Sequence, residues 1–392
     1  MLNTPLSPWP SFTEEEQAAA ARVIGSNRVN YWTGEEGRAF EREFAAWAGS
    51  NHAVAVANGT LALDLALKAL DVGAGDEVIV TPRTFIASIS TVVNAGATPV
   101  FADVDRDSGN ISAATVGPMI TERTRAISPV HLAGWPADLD PMIARARPRG
   151  VHVIEDCAQA HGAKIGDRMV GSIGDIGAWS FCQDKIMTTG GEGGMVTTDD
   201  PHLWSKMWSF KDHGKSWEAV YERQHPPGFR WVHESFGTNW RMLEVQAAIG
   251  RIQLARMTAW TARRTAIAMR LCDALADFPG LVRAPLPGAG MTHAFYRFYA
   301  YVRPEGLAAG WSRDRIVAET VARGVPLYQG SCSEVYREKA FDGTGWRPPQ
   351  RLPAALELGE TSLMFLTHPT LTDEEVDRVC DTVCAVLSEA SA

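Results

Sequence analysis

The chain has 392 residues, enough for one large domain or for a large and a small one. Its 37 Lys+Arg against 46 Asp+Glu give a net charge of −9, the wrong sign for a dedicated nucleic-acid binder. Hydrophobic residues at 45% and charged residues at 21% exclude a disordered chain, and no run approaches the roughly 18 apolar residues of a membrane span.

The opening MLNTPLSPWPSFTEEE has no basic stretch followed by an apolar one, which points to the cytoplasm rather than to export. A first helix is expected from the capping-box pattern Ser11-Phe-Thr-Glu14 onward. A second, over 35–47, puts Phe40, Phe44 and Trp47 on one face. Short apolar runs then alternate with helical patterns: 52–57, 77–81, 98–103, 125–131, 151–155, 178–182 and 194–198. Helical stretches at 60–70 and 85–94 separate the first of them. Such alternation predicts a mostly parallel seven-stranded sheet covered by helices on both faces, with an irregular connection between the last two runs. Beyond residue 240 comes one long helical pattern to about 275, then Pro/Gly-punctuated segments, then a helix opening on the box Thr372/Glu375. This texture predicts a large domain over 1–249 and a smaller α+β domain over 250–392. Six cysteines are scattered without a CxxC pair or zinc spacing, so reduced thiols are expected, with Cys380 and Cys384 on one helix face, and no metal.

In open α/β sheets ligands sit beyond the carboxyl ends of the strands, so the residues there carry the chemistry. Asn58-Gly59-Thr60 joins a strand to a helix, where a glycine lets the backbone approach an anion and the first helical amides donate to it. An ordinary turn is the alternative for these three. Ser180 offers a second hydroxyl or a structural one. Phe85 could stack on an aromatic ring or fill the core. Asp156 closes the strand VHVIED, where a buried carboxylate needs a cationic or hydrogen-bonding partner. A protonated pyridine nitrogen would serve, as would an N-cap or structural ion pair. Lys185 follows a strand and precedes a glycine run, a setting for Schiff-base chemistry or for an ordinary surface lysine. Lys68, Lys206, Lys211 and Lys215 lie in less suitable settings. Together these residues supply a phosphate cradle, a stacking ring, a pyridinium partner and an imine-forming lysine at successive strand ends.

The stretches NGTLALDLALKALDVGAGDEVIVTPRTF, GATPVFADVD, VIEDCAQAHGA, GSIGDIGAWSFCQDKIMTTGGEGGMVTT and GTNWRMLEVQAAIGRIQL resemble the nucleotide-sugar (DegT/StrS-like) aminotransferases, fold type I pyridoxal-phosphate enzymes. The resemblance implies pyridoxal 5'-phosphate as cofactor and a homodimer with shared active sites. By position, Lys185 would carry the cofactor, Asp156 would face its pyridine nitrogen, Phe85 would stack on the ring and Gln159 would lie near the ring hydroxyl. Gly59, Thr60 and Ser180 would bind the phosphate, and Asn239 would reach the phosphate in the neighbouring subunit. Arg241, His161 and Tyr328 are carried as substrate contacts, with a structural histidine the alternative for His161 and for His131. The segments 325–336 and 365–369 depart from the family pattern where the acceptor is expected. The implied reaction moves an amino group from an amino acid, glutamate by family expectation, to a nucleoside-diphosphate-linked keto-hexose for polysaccharide or glycosylated-metabolite synthesis. Relatives that dehydrate sugars replace the lysine with histidine, and Lys185 is retained. A keto-cyclitol or an aromatic-amino-acid-forming reaction is the alternative, and a non-catalytic regulator of the same fold a distant one.

Overall fold

The computed structural model describes residues 4–391; residues 1–3 and 392, at the outer ends of the two expected domains, lie outside the described residues. Seven strands, β1 (His52–Val56), β2 (Glu77–Val80), β3 (Thr98–Phe101), β4 (Thr124–Ser128), β5 (His152–Asp156), β6 (Ile176–Ser180) and β7 (Gly194–Thr198), form one sheet. Their order is β1-β7-β6-β5-β4-β2-β3. The neighbours from β6 to β3 pair parallel, whereas β7 runs antiparallel to both β1 and β6. The segment from β6 to β7 contains no helix, and β7 turns back along β6. β2, β6 and β7 are buried along their whole length, as a sheet covered on both faces requires.

Helices α2 (Glu36–Ala48), α3 (Gly59–Ala69) and α4 (Ala87–Asn94) pack on the large sheet, and α1 (Glu14–Gly25) packs on the long helix described below. α1 starts two residues later than the sequence pattern suggests. The cap is Thr13, whose amide and hydroxyl both donate to Glu16 at 2.7 Å, rather than Ser11 with Glu14. Phe40 and Phe44 are fully buried against Phe181, as their spacing implies.

Helix α5 (Glu244–Leu275) has 32 residues and spans about 48 Å. Ala248, near its start, packs with Ala19 and Val23 of α1. Its last turns, Ile267 to Leu275, enter a second core shared with a three-stranded sheet, β8 (Val282–Arg283), β9 (Arg297–Val302) and β10 (Ser362–Leu366), and with helix α6 (Asp373–Ala390). α6 opens on the expected box, Thr372 Oγ1 accepting from the Glu375 amide and Glu375 from the Thr372 amide. Cys380 and Cys384 both point their thiols at α5 carbonyls, those of Arg270 and Ala274. No disulfide joins the described cysteines. The chain also returns to the large sheet, where Tyr336 and Phe341 pack edge-on against Phe101. No helix among the described residues is long and apolar enough to cross a membrane.

One buried clamp fixes the strand ends that matter. His131 Nδ1 accepts from the Ala137 amide at 2.9 Å, so the ring proton sits on Nε2 and is donated to Glu155 at 3.0 Å. Glu155 also accepts from the amides of Gly171, Ile173 and Gly174 at 2.7, 2.8 and 2.6 Å. Cys157 completes a possible ligand trio with these two residues, but burial pushes its thiol well up and every acceptor of Glu155 is engaged. Glu155 anchors the 171–174 turn, with His131 as its remaining donor. Glu155→Gln, which aims an amide NH2 at these donors, is expected to cost about 2–4 kcal/mol, read from the midpoint of chemical unfolding; an unchanged midpoint would contradict the clamp.

Candidate active site

A cavity of about 740 Å³ opens beyond the carboxyl ends of the parallel strands, closed on its far side by Tyr296, Arg297 and the 330–331 turn. Seven of the residues expected there line it: Gly59, Thr60, Phe85, Asp156, Gln159, Ser180 and Lys185.

At one end, α3 begins. The Asn58 side chain accepts from the Leu61 amide at 3.0 Å and its carbonyl from the Ala62 amide at 3.2 Å. The earlier amides, of Gly59 and Thr60, have no intrahelical acceptor and form a site of positive partial charge. A side chain at Gly59 would collide with Ser180, its Cβ falling 2.5 Å from the serine Cβ. Glycine is thus what lets β6 and the helix N-terminus converge. The Ser180 hydroxyl accepts from the Cys182 amide at 3.3 Å, which leaves its own proton for a third donor.

At the centre lies Asp156, 4% exposed. It accepts from Ser88 Oγ at 2.8 Å and from the Ala158 amide at 3.1 Å, and Ser88 shares a second hydrogen bond with Thr84. Burial raises its carboxyl above the ordinary range, against the pull of Ser88, the Ala158 amide and the more distant Lys185. Two neutral donors leave half of its acceptor capacity turned to the cavity.

Lys185 sits in the loop after β6, its side chain 16% exposed. Its amide donates to the Cys182 carbonyl at 3.0 Å, and its carbonyl accepts the Trp9 indole N–H at 2.8 Å. Burial works against charging the amine, but Tyr296, Asp184 and Asp156 outweigh it and hold Nζ above its usual basicity. Gln159 gives its carbonyl oxygen to the Ala133 amide at 2.7 Å, which turns its NH2 towards the cavity contents. Phe85 is 69% exposed at the mouth, so a place in the core is excluded.

The other residues named as contacts do not line this chain's own cavity. His161 is buried between the Trp179 and Phe181 rings, and neither of its nitrogens has a hydrogen-bond partner among the described residues. Asn239 is exposed outside the cavity, and Arg241 is ion-paired with Asp212 at 2.7 Å. Tyr328 stands just behind the wall, bridged to Met364, whose side chain does reach the cavity. Thr367 and His368, expected towards an acceptor, are buried, with His368 stacked on Trp9. Lys211 is fully buried over the Tyr31 ring, 3.7 Å from Glu41 and away from the cavity. The sequence reading missed Trp9, Ser88, Asp184, Tyr296 and Arg297. Only Asp184, next to the lysine, carried a local signal.

Residues 10–384 match the DegT/DnrJ/EryC1/StrS aminotransferase family. The dTDP-3-amino-3,4,6-trideoxy-alpha-D-glucose transaminase of Streptomyces venezuelae is 37% identical over 370 residues, 94% of this chain and 91% of that protein. The X-ray structure of the aminotransferase from Psychrobacter cryohalolentis is 60% identical, with a TM-score of 0.97 over 98% of this chain and 100% of that one. A Streptococcus pneumoniae protein solved in a PLP form is 25% identical, with a TM-score of 0.85 over 99% of each chain.

The partnerless imidazole has a consequence for acid stability. Burial pushes His161 down to about 3, helped by Lys185 and Arg264. The unfolded chain takes up the same proton near pH 6.5, so stability falls as pH drops from there towards 3. His161→Leu is expected to shrink the stability lost between about pH 7.5 and 4.5 by roughly 2 kcal/mol, read by urea unfolding at both pH values; an undiminished loss would show that the imidazole is not held neutral.

Proposed function

Because the chain belongs to the DegT/DnrJ/EryC1/StrS aminotransferase family, we propose that it moves the amino group of L-glutamate to the carbonyl carbon of a nucleoside-diphosphate-linked keto-hexose. Pyridoxal phosphate is its cofactor. The observation that carries the reading is one cavity holding a helix N-terminus, a buried and under-neutralised carboxylate and a partly buried lysine. Each suits one part of the cofactor. The amides of Gly59 and Thr60 with the Ser180 hydroxyl take the phosphate. Asp156 would pair with the ring nitrogen, whose positive charge would offset the cost of burying that carboxylate. Phe85 would stack on the ring, and the Gln159 NH2 would serve the ring hydroxyl. A volume of this size accommodates the cofactor together with a hexose.

When bound, the cofactor supplies an electron sink for charge that develops at the donor's α-carbon. Asp156 stays ionised throughout and keeps the ring nitrogen cationic. The Lys185 amine would take the proton from the donor's α-carbon at Nζ and deliver it to the bound cofactor rather than back to that carbon, working as base and then as acid. The same group serves in reverse when the keto-sugar replaces the departed 2-oxo acid. Tyr296 and Arg297 close the side from which the sugar enters.

The working enzyme is a homodimer in this reading. Phe229, Trp231 and Phe236 are 74%, 79% and 100% exposed in the segment before Asn239, three aromatic rings whose burial would favour association. A second copy covers them and brings its Asn239 to the phosphate end of the first copy's cavity, with Arg241 and Tyr328 nearer the sugar. The large unit, 1–249, carries the cofactor, the small one, 250–392, closes over it, and the reduced cysteines suit the cytoplasm.

Incubating the protein with glutamate and a panel of keto-substrates, with mass spectrometry of the products, is expected to give 2-oxoglutarate and an aminated nucleotide-hexose. Amination of a free cyclitol ketone or an aromatic precursor instead would overturn the acceptor. Lys185→Ala is expected to lower the rate at least about 1000-fold, and a variant retaining about a tenth of the rate would remove the lysine from the chemistry. Light scattering is expected to give the mass of two chains for the wild type and of one for Trp231→Glu/Phe236→Glu; a monomeric wild type would contradict the shared site.

A further inference from the structure

The cavity holds a second carboxylate with no part in the proton transfer assigned to Lys185. Asp184 directly precedes that lysine. One of its oxygens lies 3.9 Å from Lys185 Nζ. The other accepts the Tyr296 hydroxyl at 2.5 Å and lies 4.0 Å from Arg297 Nη2. Tyr296 immediately precedes β9 of the small sheet, whereas Asp184 and Lys185 follow β6 of the large one, so the pair is assembled across the two layers of the fold. All four side chains line the cavity.

The charges around Nζ are unevenly distributed. From its own loop come Asp184 and the Cys182 thiol, from β5 Asp156, and from the segment entering β9 Tyr296 and Arg297. Behind it lie His161 and the buried Arg264, whose charge acts on that same imidazole. Two carboxylates therefore face the amine, and with the cofactor bound one of them, Asp156, is engaged by the ring nitrogen. An ammonium in a largely buried site needs a remaining counter-charge. Lys185, Tyr296 and Arg297 together outweigh burial and hold the Asp184 carboxyl below its ordinary range, so it is ionised at neutral pH.

We propose that Asp184, oriented by Tyr296, is a positioning residue that stabilises the protonated Lys185 amine while it carries the proton from the donor's α-carbon to the cofactor. The proton arrives from that carbon, rests on Nζ and leaves Nζ for the bound cofactor; Asp184 stays a carboxylate, so no further acid or base is required. The inference rests on Lys185 as the acid and base. An asparagine at 184 can still accept from the Tyr296 hydroxyl but carries no charge, which separates electrostatics from simple structural support.

The test uses cofactor-free protein, pulse-labelled with trinitrobenzenesulfonate across a range of pH, with the Lys185 peptide quantified by mass spectrometry. Removing an opposite charge at this distance is expected to lower the labelling midpoint by about one pH unit in Asp184→Asn. Asp184→Glu, which keeps the charge, is expected to restore at least half of that shift. In the cofactor-loaded enzyme the high-pH limb of kcat is expected to move down with the midpoint. Thermal unfolding of both variants at each pH confirms that the labelled protein is folded. A midpoint moved by less than about a third of a unit, or a shifted midpoint with an unmoved limb, would overturn the proposal while Lys185→Ala remains inactive. An active Lys185→Ala enzyme would instead overturn the underlying reading, and the inference with it.

Discussion

Two adjacent carboxylates at the end of one buried strand meet opposite fates, and the site depends on that difference. Successive residues of a strand face opposite ways. Glu155 points into the protein and is saturated by His131 and three backbone amides. Asp156 points into the cavity with only Ser88 and one amide, at 4% exposure. The first is a finished structural anchor. The second is a buried acid whose ionised form waits for a cation, and burial alone drives it towards protonation. A ring nitrogen that carries a proton would resolve that tension, with the helix N-terminus and the lysine in the same cavity.

The sequence made this part legible because the chemistry sits where parallel strands end. Apolar runs mark the strands, and the residues just after each run must lie on one edge of the sheet. Asp156, Ser180, Lys185 and the Gly59-Thr60 junction could be picked out on those grounds, and the fold brings them around one cavity. That the connection into β7 is irregular could be read from the sequence; that β7 runs antiparallel to both neighbours comes from the structure. The start of α1 could not, because Thr13 and Ser11 are equally good caps in a sequence and only Glu16 decides between them.

The wall contributed by distant residues stayed hidden. Trp9 reaches the Lys185 carbonyl across 176 residues and Tyr296 reaches Asp184 across 112. No local pattern announces such pairs. Buried charge was equally opaque: Lys211 lies in a polar, tryptophan-rich stretch yet is fully enclosed beside Glu41 and the Tyr31 ring. The 365–369 departure from the family pattern has a packing cause, since His368 stacks on Trp9, the same ring that fastens the lysine loop. The 330–331 turn, Met364 and Arg297, by contrast, do line the cavity.

The most direct test tracks the ring nitrogen itself. Cofactor labelled with a heavy nitrogen in the ring, bound to the protein and observed by NMR, reports whether that atom carries a proton. The account predicts a protonated nitrogen in the wild type to at least about pH 9, and a deprotonated one at neutral pH in Asp156→Ala, because a buried carboxylate in contact raises the basicity of its partner by several units. A wild-type nitrogen without a proton at neutral pH would contradict it.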